Sequence, residues 1–162
     1  MRKKIRIFVS YAVKYQALAL DFVERLKEDI APSKAYEYDL WIYPDILIGE
    51  QLEKEIIGHI ESCDCAILLV SNSFLKSEYV KERELPLLFA KQVPLLPVML
   101  REVDLKLHDL QGLERYQIFR LQSKRYTEPR AYADVRANRR DEFIRSVFKE
   151  IETRLTKENI GV

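Results

Sequence analysis

The sequence is short of the residues that most chemistries require. It has four glycines, and no Gly-x-Gly-x-x-Gly or P-loop pattern occurs among them. A phosphate cradle built from a glycine-rich turn is therefore not supported. It has two histidines, His59 and His108. His59 reads as a boundary residue of a helix with no carboxylate or Cys partner at metal-ligand spacing and His108 as a residue of a polar loop, so a histidine-dependent triad is not expected. It has two cysteines, Cys63 and Cys65. Structural zinc needs four ligands and a disulfide framework needs more cysteines than this. Both read as small core residues at a helix-to-strand junction, and their free state fits the cytoplasm. No metal or cofactor is expected. No apolar run approaches the roughly 18 residues of a membrane span. The formal net charge is +1, which gives no global attraction to nucleic acid or to anionic membrane.

What is present fits one domain over residues 1–162, long enough for a sizeable core. The opening stretch Met1–Ser10 is basic and then apolar, but too short and too charged for a signal peptide. A strand over Lys4–Ser10 is the better reading. Apolar residues at Leu18, Phe22, Val23, Leu26 and Ile30 recur at helical spacing over Val13–Ile30. A second strand is expected at Asp39–Tyr43, a loop at Pro44–Gly49 and a helix at Glu50–Ser62. Cys65–Ser71 is a continuous apolar run, as in a strand covered on both faces. Ser71, Asn72 and Ser73 offer N-caps for a helix over Phe74–Lys91. Pro86 should kink or loosen that helix at Glu84–Leu85. Further strands are expected at Val93–Leu100 and Tyr116–Leu121, with an irregular Arg101–Gly112 between them. A polar segment at 123–140 carries Lys124, Arg125, Arg130, Arg136, Arg139 and Arg140. It reads as a solvated loop, the alternative being a phosphate-contacting patch. Phe143, Val147, Phe148, Ile151 and Leu155 mark a final amphipathic helix over 141–157.

This alternation argues for a parallel sheet with helices on both faces. Ligands then bind beyond the carboxyl ends of the strands, at Ser10–Val13, Tyr43–Gly49, Ser71–Ser73 and Arg101 onward. The carboxylates are the remaining candidates for chemistry. Glu78 and Glu82 are four apart on one helix with Lys81 and Arg83 nearby, which is the pattern of a solvated face. Periodicity alone does not place Glu84 in a cleft. Its position just before Leu85-Pro86 is the one local irregularity.

Six segments in order resemble the TIR (Toll/interleukin-1 receptor) family, bacterial type. They are Phe8-Val9-Ser10-Tyr11-Ala12, Asp39-Leu40-Trp41-Ile42, Asp45-Ile46-Leu47-Ile48-Gly49-Glu50, Ile60–Ser71, Ser77–Pro86 and Leu96–Arg101. The match covers roughly Lys4–Leu121, and the last helix is compatible. The resemblance implies a flavodoxin-like three-layer α/β sandwich, a five-stranded parallel sheet between helices. It implies an NAD+ glycohydrolase or cyclase of the kind used in bacterial antiphage signalling, with NAD+ as substrate. It carries over Glu84 as the catalytic carboxylate, with Glu82 as fallback. Tyr11, Ala12, Asp45, Leu47 and Tyr79 carry over as substrate-binding positions. It also implies partners: other TIR domains, and a separate effector protein. The competing reading is a non-catalytic TIR–TIR scaffold assembling through the loop at Asp45–Gly49. A phospho-receiver domain shares the element order, but no acidic pair follows the first strand and no Lys ends the fourth.

Overall fold

The structure is a computed structural model that describes residues 2–42 and 49–160, with side chains placed for 2–42 and 52–157. Four parallel strands form one sheet in the order β2-β1-β3-β4. They are β1 (Lys3–Ser10), β2 (Tyr36–Trp41), β3 (Cys65–Val70) and β4 (Leu95–Met99). Between and after them run α1 (Gln16–Ile30), α2 (Gly49–Ser62), α3 (Asn72–Lys76), α4 (Leu85–Lys91) and α5 (Arg140–Ile160).

The register explains the two cores. Ile7 pairs with Cys65 and Val9 with Ile67, while Ile67 pairs with Leu96 and Leu69 with Val98. Alternate side chains of a strand point to opposite faces. Ile5, Ile7, Val9, Ile67, Leu69, Leu96 and Val98 thus pack on one face with α1 and α5. Phe8, Ala66, Leu68, Val70, Leu95 and Met99 pack on the other with α2, α3 and α4. Every residue of β3 is buried, as a strand covered on both faces requires.

The expected fifth strand is corrected. Tyr116–Leu121 contributes a single parallel bridge, Val98 to Phe119. Phe119 N donates to Pro97 O at 2.7 Å and Met99 N donates to Phe119 O at 2.8 Å. A ladder that continued backward would next need an N–H at position 97, and proline has none. Forward, Leu121 pairs with Arg130 in an antiparallel bridge and leaves the sheet. On the same edge the Arg154 guanidinium meets Leu95 O at 2.6 Å, covering a carbonyl that has no strand beside it.

The polar segment is anchored more firmly than a solvated loop. Ala133 N donates to Leu100 O at 2.9 Å. Tyr132 is fully buried between α1 and α5. Its ring lies edge-on to Phe22 and Phe143, with centroids 5.2 and 5.1 Å away. Such pairs add about 0.5–1.5 kcal/mol each beyond the area they bury.

The helix expected over Phe74–Lys91 is broken in two. α3 is capped by Ser71, whose Oγ accepts from Phe74 N at 3.1 Å, and stops before an extended Ser77. Ser77 caps the next turn, its Oγ accepting from Val80 N at 3.3 Å. Val80–Glu84 then forms a π-helical turn, closed by Leu85 N donating to Val80 O, before α4 resumes. Pro86 is the cause: it has no N–H for the carbonyl four residues back, and the widened turn accommodates that loss.

Candidate functional site

A cavity of about 660 Å³ opens where the carboxyl end of β1 meets α2 and the broken third helix. The chain leaving β1 supplies Tyr11, Ala12, Val13 and Lys14. Leu52, Glu53 and Ile56 come from α2, while Ser73, Lys76 and Ser77 come from α3 and its end. Tyr79, Val80 and Glu84 come from the π-helical region. This is the size and place expected of a small-molecule site in a parallel α/β sheet.

The local backbone decides which glutamate reaches it. In a regular α-helix positions five apart diverge by about 140°. A turn with bonds between i and i+5 instead brings such positions near one another. Tyr79 and Glu84 are five apart, and both line the cavity. Glu84 is 1% exposed and is the buried carboxylate among the described residues. Glu82 and Glu78 are exposed and do not line the cavity. The structure thus separates the two carried-over glutamates by burial, a distinction periodicity could not make.

Tyr79 is half-buried, and its hydroxyl oxygen is buried with no hydrogen-bond partner among the described residues. Burial raises its pKa, and the carboxylates of Glu84 and Glu53 push it further up, against a lowering by Arg83. Glu53 lies 3.5 Å from the Arg83 Nε. Tyr11 and Ala12 are buried at the base of the site. Lys14 and Lys76 are exposed and supply two positive charges to its lining. Asp45 and Leu47 lie outside the described residues, as does most of the expected loop Pro44–Gly49. Arg101 does not line the cavity; its guanidinium stacks 4.7 Å from the Tyr15 ring.

Neither histidine lines the cavity among the described residues. His59 stacks on Trp41 with centroids 4.1 Å apart, and its Nε2 lies 3.6 Å from Glu55. Contrary to the sequence reading, it does have a carboxylate partner one turn away. No group of three or more potential metal ligands occurs among the described residues. Cys63 and Cys65 are free and buried. Burial raises both thiols, Cys63 to about 11, so neither is a thiolate at neutral pH. Sequence reasoning missed the α2 wall, Leu52, Glu53 and Ile56. Its only available signal was the apolar stripe of that helix, which looks the same whether it faces a core or a cavity.

The arrangement suits one kind of chemistry. A buried carboxylate beside apolar and aromatic walls acts on a ligand without much competing water. It stabilises positive charge that forms near it far more than an exposed carboxylate would.

No helix among the described residues is long and apolar enough to cross a membrane. A search of curated proteins returned no match. A family model described as a TIR domain matches residues 7–142, from the first strand into the start of α5. The chain has the parallel α/β sandwich and the ordered motifs of that family, and it belongs to the TIR-domain family.

Proposed function

We propose that this TIR domain cleaves NAD+ at the nicotinamide–ribose bond, with Glu84 as the catalytic carboxylate. The observation that carries this reading is Glu84 itself, buried and lining a cavity at the carboxyl end of β1. TIR domains include both signalling modules and NAD+-cleaving members, and the site here suits the second class.

Breaking the N-glycosidic bond builds oxocarbenium character on the ribose. The Glu84 carboxylate binds the ribose hydroxyls and stabilises that charge as it develops. Nicotinamide leaves with the bonding electron pair and becomes neutral, so its departure needs no general acid. A site without a histidine is therefore sufficient. Water, or a nucleophilic atom of the substrate itself, then closes on the ribose carbon to give ADP-ribose or a cyclised product. Tyr79 and Tyr11 supply aromatic surface for a planar ring. The domain acts in bacterial immune signalling by contact with other TIR domains and with a separate effector.

The test is nicotinamide release from NAD+ by the purified chain, with products identified by mass spectrometry. It is run dilute and then at high concentration with a crowding agent, because TIR–TIR contact favours the active state. Release that rises with concentration supports the proposal. No release under either condition contradicts it.

A further inference from the structure

A second cavity, of about 400 Å³, is lined by Arg125, Tyr126, Arg130, Asp134, Arg136 and Arg139. It shares no residue with the cavity at Glu84. Four of its six lining residues are arginines and one is acidic. Concentrating like charge around one concavity is unfavourable unless something of opposite sign sits there.

The arginines are not on loose chain. Arg130 is held by a two-bond bridge to Leu121, at 2.8 and 2.9 Å. Arg136 and Arg139 flank a 3-10 turn closed by Arg139 N donating to Arg136 O at 2.8 Å. Between them Tyr132 is fully buried and Ala133 N is tied to Leu100 O. The backbone that carries the charges is therefore fixed by core packing before any ligand arrives.

Their charges are only partly spent within the chain. Arg125 lies 3.9 Å from the Glu142 carboxylate. Arg130 stacks 4.5 Å from the Tyr126 ring and donates to the Asp134 carbonyl at 3.4 Å, contacts that leave its charge in place. Arg130, Arg136 and Arg139 form no ion pair among the described residues. Counting the lining with Glu142 included, four positive charges face two negative ones. Planar guanidiniums bind phosphoryl oxygens in bidentate fashion, and the volume suits a small molecule.

We propose that this pocket is a binding site for a diphosphate group, separate from the site at Glu84. The group is either free or part of a nucleotide whose base packs on the Tyr126 ring. The role proposed is binding alone, with the four arginines outnumbering the one lining carboxylate, Asp134.

The test is isothermal titration of the full chain with sodium pyrophosphate, and separately with ADP, at fixed ionic strength. Saturable one-to-one binding is expected. The Arg136→Ala, Arg139→Ala double variant should weaken it by at least about tenfold. Two other double variants that remove the same charge, Lys4→Ala with Lys27→Ala and Lys14→Ala with Lys76→Ala, should leave it within about twofold. Tighter binding of ADP than of pyrophosphate, lost in the Arg136→Ala, Arg139→Ala variant, identifies a nucleotide, and equal binding identifies the bare diphosphate. Circular dichroism checks folding, and Arg139→Gln alone serves if the double variant misfolds. The proposal is overturned by absence of saturation up to about 1 mM ligand. It is also overturned by equal weakening in the Lys4/Lys27 control, which would mean diffuse attraction. Loss in the Lys14/Lys76 variant would move the site to the other cavity. In a third titration, with a single-stranded oligonucleotide, binding of that ligand alone would also overturn the proposal and make the patch a nucleic-acid surface.

Discussion

The two faces of the sheet place their carboxylates differently. On the α1/α5 face, carboxylates are tied to partners. Asp21 is met by Arg25, Arg140 and the Tyr132 hydroxyl, and Glu152 accepts from Ser33 and Tyr38. These bonds join distant parts of the chain and fix how the helices sit. On the α2/α4 face the third helix is broken, and the break points a buried glutamate into a cavity. On one face the carboxylates cross-link helices; on the other a buried carboxylate lines a cavity.

The largest effect that would break this comparison concerns the first face. Phe22→Ala should cost about 3–5 kcal/mol in urea unfolding, since it empties a ring site against Tyr132 and Phe143. A loss below about 1 kcal/mol would mean that this face does not carry the stability assigned to it.

Next comes Pro86→Ala. Restoring the missing N–H lets a regular helix form and carries Tyr79 and Glu84 apart. Stability should change by less than about 1 kcal/mol, while NAD+ cleavage falls by about tenfold or more. Parallel unfolding and activity measurements separate the two, and retained activity would show that the π turn is incidental.

A smaller effect is expected from pH. Desolvation pulls the Asp21 carboxyl upward, but hydrogen bonds from Tyr132 and Arg25 and the charges of Arg25 and Arg140 outweigh it, leaving it below the usual range. A carboxyl lowered in the folded state contributes stability that is present above its unfolded value of about 3.9 and is lost as pH falls through the folded value. Acid unfolding should therefore be less steep in Asp21→Asn below about pH 4. Identical acid limbs in the two proteins would rule out this role.

The smallest effect is Tyr79→Phe. Removing a buried hydroxyl that lacks a partner among the described residues should leave stability unchanged or raise it by up to about 1 kcal/mol. A loss of more than about 1 kcal/mol would show that the hydroxyl has a structural partner after all.

Much of this was legible in the sequence, and the failures have physical causes. The continuous apolar run at Cys65–Val70 reads as a doubly covered strand, which it is. The α5 stripe reads as a core-facing helix, and Phe143, Val147, Ile151 and Leu155 are all buried. Pro97 inside an apolar run was the sign that the next strand could not ladder fully, but its direction depends on which N–H faces the edge. Pro86 marked a disturbance without saying that the helix would widen rather than kink. That choice determines whether Glu84 or Glu82 is buried, so no helical wheel could settle it. In the 123–140 segment, charge concealed the anchoring role of Tyr132, a single aromatic with no periodic neighbours.

The most direct test compares two neighbouring carboxylates. NAD+ cleavage should be measured in the wild type, Glu84→Gln and Glu82→Gln under conditions that permit assembly, with circular dichroism confirming the fold of each. Glu84→Gln should lower the rate by about a hundredfold or more, while Glu82→Gln stays within about twofold. Unchanged cleavage in Glu84→Gln, or a larger loss in Glu82→Gln, would contradict it.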